Sequence, residues 1–142
     1  MSVLVTGASG FVGSALIPLL IEKGHCVLGL SRHPPIGSRD LIPMVGDITE
    51  PNLGLDEVPK DITAIYHLAG IHRLGKDTDG SIWKTNVEGT RNVLAFCLKH
   101  NIRKLIFTST AYTWPVNPYG LSKIQNESDI TEFAKEHNIE VT

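Results

Sequence analysis

Short apolar runs alternate along the chain with longer stretches whose apolar positions recur at helical spacing. The short runs predict strands over residues 3–6, 26–30, 42–45, 64–67, 104–108 and 139–141. The longer stretches predict helices over 11–23, 81–100 and 119–137, with a short helix near 53–58. Gly24, directly after Lys23, is a stop signal for the first helix. In the long middle helix Trp83, Val87, Thr90, Leu94, Cys97 and Leu98 fall along one side, a helical rather than a strand period. The strand candidates are nearly continuous apolar runs, as strands buried on both faces must be. Their alternation with helices predicts an α/β fold: a doubly wound parallel sheet in a three-layer α/β/α arrangement. The stretch 31–43, with Pro34, Pro35 and Pro43, reads as a surface connection. No linker, repeat or low-complexity tract divides the 142 residues, so residues 1–142 are read as one domain.

The sequence Thr6-Gly7-Ala8-Ser9-Gly10-Phe11-Val12-Gly13 follows the first strand and opens the first helix. Glycine at these three places has separate uses. Gly7 permits a tight turn, Gly10 lets the backbone approach a pyrophosphate, and Gly13 lets helix and strand pack closely. The helix start, with Ser9, Phe11 and Val12 around Gly10, then offers free N–H groups and a positive dipole end to phosphates. With a strand before it and a helix after it, this turn predicts a Rossmann-type dinucleotide-binding domain.

A dinucleotide site also needs a group near the adenine ribose, at the end of the second strand. An acidic residue there would bind the 2′-hydroxyl of NAD. The chain has Ser31-Arg32-His33 and no carboxylate. Arg32 can make charge-assisted bonds to a 2′-phosphate and Ser31 can add another, so NADP is expected, with NAD as the alternative. The competing reading makes Arg32 a solvated surface residue. Asp47-Ile48, after the third strand, is read either as the adenine contact or as a turn.

Composition sets the remaining bounds. The apolar fraction of 42 % and charged fraction of 20 % are ordinary for a globular protein. A formal net charge of −2 lacks the basic excess of a nucleic-acid partner. No apolar run is long enough for a membrane span, and the first residues read as a strand rather than a signal peptide. Cys26 and Cys97 lie inside apolar runs and are expected as buried free thiols, which suggests a reducing, cytoplasmic setting. The six histidines are scattered without a metal-ligand spacing.

Taken together, TGASGFVG (Thr6–Gly13), GDI at 46–48, YHLAG at 66–70, TNVEGTRNVL at 85–94, FTST at 107–110 and PYGLSK at 118–123 resemble the extended short-chain dehydrogenase/reductase family of epimerases, dehydratases and reductases. The resemblance runs end to end. It implies that His67, Leu68 and Ala69 line the cofactor and that Asn86 lies near the nicotinamide. It further implies that Thr110, with Ser109 as the neighbouring choice, is the catalytic hydroxyl.

Tyr119 and Lys123 are spaced i, i+4 and share one face of a helix. A phenol is a poor base at neutral pH, but a nearby ammonium favours its anion. Such a tyrosine can take a proton from a substrate hydroxyl as hydride leaves the same carbon, and return it in reverse. Lysine can also hold the nicotinamide ribose. The expected function is therefore NAD(P)-dependent oxidoreduction, epimerisation or dehydration of a hydroxyl or carbonyl substrate such as a nucleotide sugar. The alternative is a dinucleotide-binding module without turnover.

Two features depart from the family pattern. Only eight residues separate Thr110 from Tyr119, where the family has a longer loop. The chain stops at Val141-Thr142, where the resemblance implies a further strand and a C-terminal substrate-binding region, so a truncated relative, a piece of a longer chain or one half of an assembly of separate chains is expected. Finally, a dimer is expected. Trp83, Val87 and Leu94 on one helix and Leu121, Ile124 and Phe133 on another exceed what one sheet face must cover.

Overall fold

Every residue of β1 (Ser2–Thr6) is buried, which places this strand inside a sheet covered on both faces. The computed structural model describes residues 1–73, 75–111 and 117–142. Around β1 stand β2 (Cys26–Ser31), β3 (Leu41–Val45), β4 (Ile62–His67), β5 (Lys104–Phe107) and β6 (Glu140–Val141). All are parallel, in the order β3-β2-β1-β4-β5-β6. Alternation along the strands divides the core into two layers. Val3, Val5, Val27 and Ala64 face α1 (Phe11–Glu22) through Ile17 and Leu20. Leu4, Leu28, Ile65 and Leu105 face the opposite way, against Val93, Phe96, Cys97 and Ile130. The strand order reverses between β1 and β4, and in such sheets a crevice opens there beyond the carboxyl ends of the strands.

The predicted long helix is continuous but not regular. It is built from α2 (Ser81–Trp83), a π turn (Lys84–Glu88) and α3 (Gly89–Lys99). The π turn slips the helical phase, so Ile82 and Val87 are the fully buried pair while Trp83 is 41 % exposed. Leu98 is likewise outside the core. Val87 and Leu94 are both packed within the chain, which removes them from the expected dimer face. The final helix, α4 (Pro118–His137), begins one residue earlier than expected because Pro118 occupies its first turn. Asn117 caps it, its Oδ1 accepting from Gly120 N at 2.8 Å.

Three smaller expectations change. The short helix near 53–58 is a 3₁₀ turn at Pro51–Gly54, where Pro51 starts the turn. Pro43 lies inside β3, as the strand expected over 42–45 has it, and not in the connection expected over 31–43. β3 is an edge strand, where a missing N–H faces no partner. Cys26 is half-buried, whereas Cys97 is buried and its thiol is pushed up to about 12 by desolvation. No helix among the described residues is long and apolar enough to cross a membrane.

Candidate functional site

The glycine turn closes tightly on the loop after β4. Gly7 has φ +72°, and a methyl placed on it would meet Ala69 N at 2.8 Å. Any side chain there is both strained and obstructed. A methyl on Gly13 would meet Gly7 O at 2.3 Å, so helix and turn approach at backbone distance. Helix α1 then starts after Gly10 with no side-chain cap. Its first N–H groups are left for an external acceptor, at the positive end of the helix dipole.

A cleft of about 470 Å³ runs from this turn along the carboxyl ends of the strands. Gly7, Ser9 and Gly10 line its middle. Ser31, Arg32, Asp47 and Ile48 line one end, and Leu68 and Ala69 form the inner wall. Among the described residues Ser31 Oγ is buried without a hydrogen-bond partner, and Arg32 is exposed at the rim. Asp47 Oδ1 accepts from Thr49 N at 2.9 Å and Thr49 Oγ1 at 2.8 Å, so Asp47 builds a turn and lines the cleft at once. Phe11 is 93 % exposed and Val12 52 %, with neither on the cleft; they contribute helix-start backbone only. Gly13 sits behind the wall.

Sequence reasoning passed over His33, Thr49, Gly70, Ile71, Lys84 and Thr85, which also line the cleft. The last two stand on the π turn, which no hydrophobic period announces.

Asn86 and His67 are both 1 % exposed and neither lines the cleft, correcting the expectation that His67 lines it with Leu68 and Ala69. Asn86 clamps the loop instead. Its Oδ1 accepts from Ile71 N at 2.7 Å while its Nδ2 donates to Ile71 O and to Ser122 Oγ, each at 3.0 Å. Around His67, Thr6 Oγ1 lies 2.8 Å from Nδ1 and Thr90 Oγ1 3.0 Å from Nε2. Burial first, and then the Lys123 charge, lower His67 to about 3, so its ring is neutral.

Tyr119 and Lys123 do not line the cleft; the pair lies beyond its Gly70 end. A methyl on Gly70 would lie 4.0 Å from Lys123 Nζ. That ammonium donates to Thr108 O at 2.8 Å, sits 4.6 Å from the Phe107 ring centre and 5.9 Å from that of Tyr119. Lys123 is buried, and desolvation lowers it to about 8 against the opposing Glu127 charge. Half-buried Tyr119 packs edge-on against the His72 ring at 4.7 Å. Ser109 Oγ donates to Glu127 Oε1, a partner the sequence did not suggest. Thr110 is half-buried just past β5. The short connection leading on to Tyr119 falls at 112–116, outside the described residues.

A six-stranded parallel sheet in this order, with a glycine turn opening onto its switch point, defines a Rossmann-type domain. A sequence model of the NAD dependent epimerase/dehydratase family matches residues 3–142, and the chain belongs to that family. It is 34 % identical over 136 residues to 2-alkyl-3-oxoalkanoate reductase of Stenotrophomonas maltophilia, covering 91 % of this chain and 41 % of the relative. It is 30 % identical to UDP-glucose 4-epimerase of Halalkalibacterium halodurans, covering 89 % and 44 %. UDP-glucuronic acid 4-epimerase from Bacillus cereus, solved in complex with NAD, superposes with a TM-score of 0.82 at 25 % identity. That match covers 100 % of this chain and 54 % of the epimerase. The chain thus spans about half the length of the proteins it matches.

Proposed function

We propose that this chain binds a nicotinamide dinucleotide along the cleft and uses Tyr119 and Lys123 for proton transfer at a hydroxyl or carbonyl substrate. The observation that carries the reading is the continuity of the cleft. It runs from an uncapped helix start to Gly70, where an added methyl would lie 4.0 Å from the Lys123 ammonium. The donor set fits the ligand. Free helix N–H groups suit the pyrophosphate, and Ser31 Oγ is an orphan polar atom where a ribose or its phosphate would lie. When bound, the dinucleotide supplies the hydride acceptor or donor.

The chain's own residues do the rest. Tyr119 exchanges a proton with the substrate oxygen. Lys123, held by Thr108 O, sets its ammonium 5.9 Å from the Tyr119 ring centre and would hold the nicotinamide ribose. Thr110, or Ser109 beside it, orients the substrate oxygen. The relatives named as UDP-glucose 4-epimerase and 2-alkyl-3-oxoalkanoate reductase support epimerisation or reduction, with a nucleotide sugar as the favoured substrate class.

NADP is the favoured dinucleotide. Arg32 stands at the cleft rim, and the β2 end carries no carboxylate to repel a 2′-phosphate. Calorimetric titration of both dinucleotides tests the reading. Tighter NADP⁺ binding is expected, and Arg32→Ala should reduce the preference about tenfold, the value of one charge-assisted contact. Absence of binding by either dinucleotide overturns the function; an unchanged preference overturns the role of Arg32.

The lowered Lys123 sets a pH dependence. Below about 8 the amine is charged and supports Tyr119; above it the charge is lost. Turnover should therefore decline as pH rises through that value. Lys123→Arg, if active, should hold its rate to higher pH.

We also propose that the chain pairs with a second copy. Trp83, Leu121 and Ile124 form the apolar face left exposed by α2 and α4. Light scattering after size exclusion should give twice 15.5 kDa, and Leu121→Glu should return the monomer. A wild-type monomer at micromolar concentration rejects the pairing.

A further inference from the structure

We propose that His67 is a positioning residue for dinucleotide binding, and that it acts as the neutral Nε2–H tautomer in a relay running from the cleft wall to the π turn. The inference rests on the dinucleotide reading of the cleft. The relay itself follows from counting protons at each atom.

Thr6 Oγ1 accepts from Ala69 N at 3.2 Å and from Leu68 N at 3.2 Å, the latter N–H shared with Thr6 O at 3.3 Å. Two acceptances fill its lone pairs, so its single hydrogen must point outward. The remaining neighbour is His67 Nδ1 at 2.8 Å, which must therefore be bare and accept. A neutral imidazole has one hydrogen, and here it belongs on Nε2. Nε2 then donates to Thr90 Oγ1 at 3.0 Å.

The far end demands the same assignment independently. Thr90 Oγ1 donates to Asn86 O at 2.6 Å, so its hydrogen is spent and it can only accept from the ring. Every proton in the chain from Leu68 and Ala69 through Thr6, His67 and Thr90 to Asn86 then has one consistent place. The opposite tautomer would set an N–H against the Thr6 hydroxyl hydrogen. It would also leave Nε2 and Thr90 Oγ1 as two facing acceptors.

What the relay holds is the cleft. Leu68 and Ala69 are its inner wall. Ala69 N is also the atom a Gly7 methyl would strike, so the distance between wall and glycine turn is set where Thr6 grips both amides. Asn86 closes the circuit, because its side chain clamps Ile71 while its carbonyl takes the Thr90 hydrogen. His67 is thus the joint between β1, β4 and the long helix, and its contribution runs through Thr6 rather than by touching ligand.

Two amide replacements separate the two ring contacts. In His67→Asn the side-chain oxygen reaches the Nδ1 position and can accept from Thr6. In His67→Gln the longer amide reaches the Nε2 position and serves Thr90 alone. Both variants should lose thermal stability. His67→Asn should keep its NADP⁺ dissociation constant within about threefold of wild type, whereas His67→Gln should weaken it by about tenfold or more. A role confined to packing would weaken both in step with stability.

Two readouts need no ligand. Proton–nitrogen correlation spectra should place the His67 ring proton on Nε2. The Ala69 amide, whose acceptor is Thr6 Oγ1, should exchange slowly in wild type and His67→Asn and faster in His67→Gln. A proton on Nδ1 overturns the relay even if both variants fail to fold, and so does equal binding by two folded variants. If wild type binds no dinucleotide, the functional reading falls, while the tautomer and the amide exchange still decide the relay.

Discussion

Tyr119→Phe will lower turnover about a hundredfold or more while leaving the dinucleotide dissociation constant within about threefold of wild type. The substitution keeps the ring and its edge-on contact with His72, and it removes only the hydroxyl. A positioned acid or base contributes about two to four powers of ten to rate, so the loss sets a floor on what the phenol does. Dinucleotide affinity is spared because the cleft is built by the glycine turn, the β2 end and the 68–71 loop, none of which Tyr119 braces. Lys123 behaves differently. Its ammonium touches Thr108 O and approaches Gly70, so Lys123→Ala should weaken binding and turnover together. Steady-state kinetics with a panel of nucleotide sugars and small carbonyls, alongside calorimetry, separates the two effects. Full activity in Tyr119→Phe would remove the phenol from the chemistry. Sound binding with no turnover in wild type would favour the reading as a binding module.

The parts of this molecule legible in its sequence are those where one physical requirement dominates. Strands buried on both faces must be continuously apolar, and all six strand positions agree with the pattern to within a residue or two. Gly7 and Gly13 were legible because backbone meets backbone there, and no other residue fits. What stayed hidden depends on phase or on partners far apart in sequence. The π turn adds a residue to one turn of a helix whose hydrophobic period still looks regular, so Trp83 reads as buried although Ile82 takes that place. His67 and Asn86 sit in motifs associated with a cofactor, yet their side chains turn inward to hold the loop that faces it. Phe11 and Val12 mark the helix start through their backbone, so their side chains carry no information about the cleft. Glu127 and His72 meet Ser109 and Tyr119 only after the helices have packed.

Mild acid should destabilise the fold, and His67 should account for most of the effect. In the folded chain the ring stays neutral to about pH 3, because burial and then the Lys123 charge oppose its protonation, whereas its ordinary value is 6.5. Between those values the unfolded chain binds a proton that the folded chain refuses. Stability therefore rises with pH across the interval and is lost as pH falls below 6.5. A tenfold difference in proton affinity between the two states is worth about 1.4 kcal/mol, so the whole interval amounts to on the order of 5 kcal/mol for a ring with no access to solvent. That is a large share of the ~5–15 kcal/mol that holds an ordinary domain folded. His100 is also lowered, by burial and then by Lys99, and adds a smaller slope of the same sign. Asp79 acts separately. The Ser81 hydroxyl and the Arg73 guanidinium hold it well below the usual carboxylate range, so its contribution is present above 3.8 and lost only below that pH. The upper part of the window, roughly pH 6.5 to 4.5, is thus governed by histidine. Urea midpoints measured across it should fall steeply for wild type. His67→Asn starts lower at neutral pH but has no ring to titrate, so its curve should be much flatter and should approach the wild-type curve as pH drops. Parallel curves would mean that His67 protonates freely in the folded chain, contrary to its burial between Thr6 and Thr90.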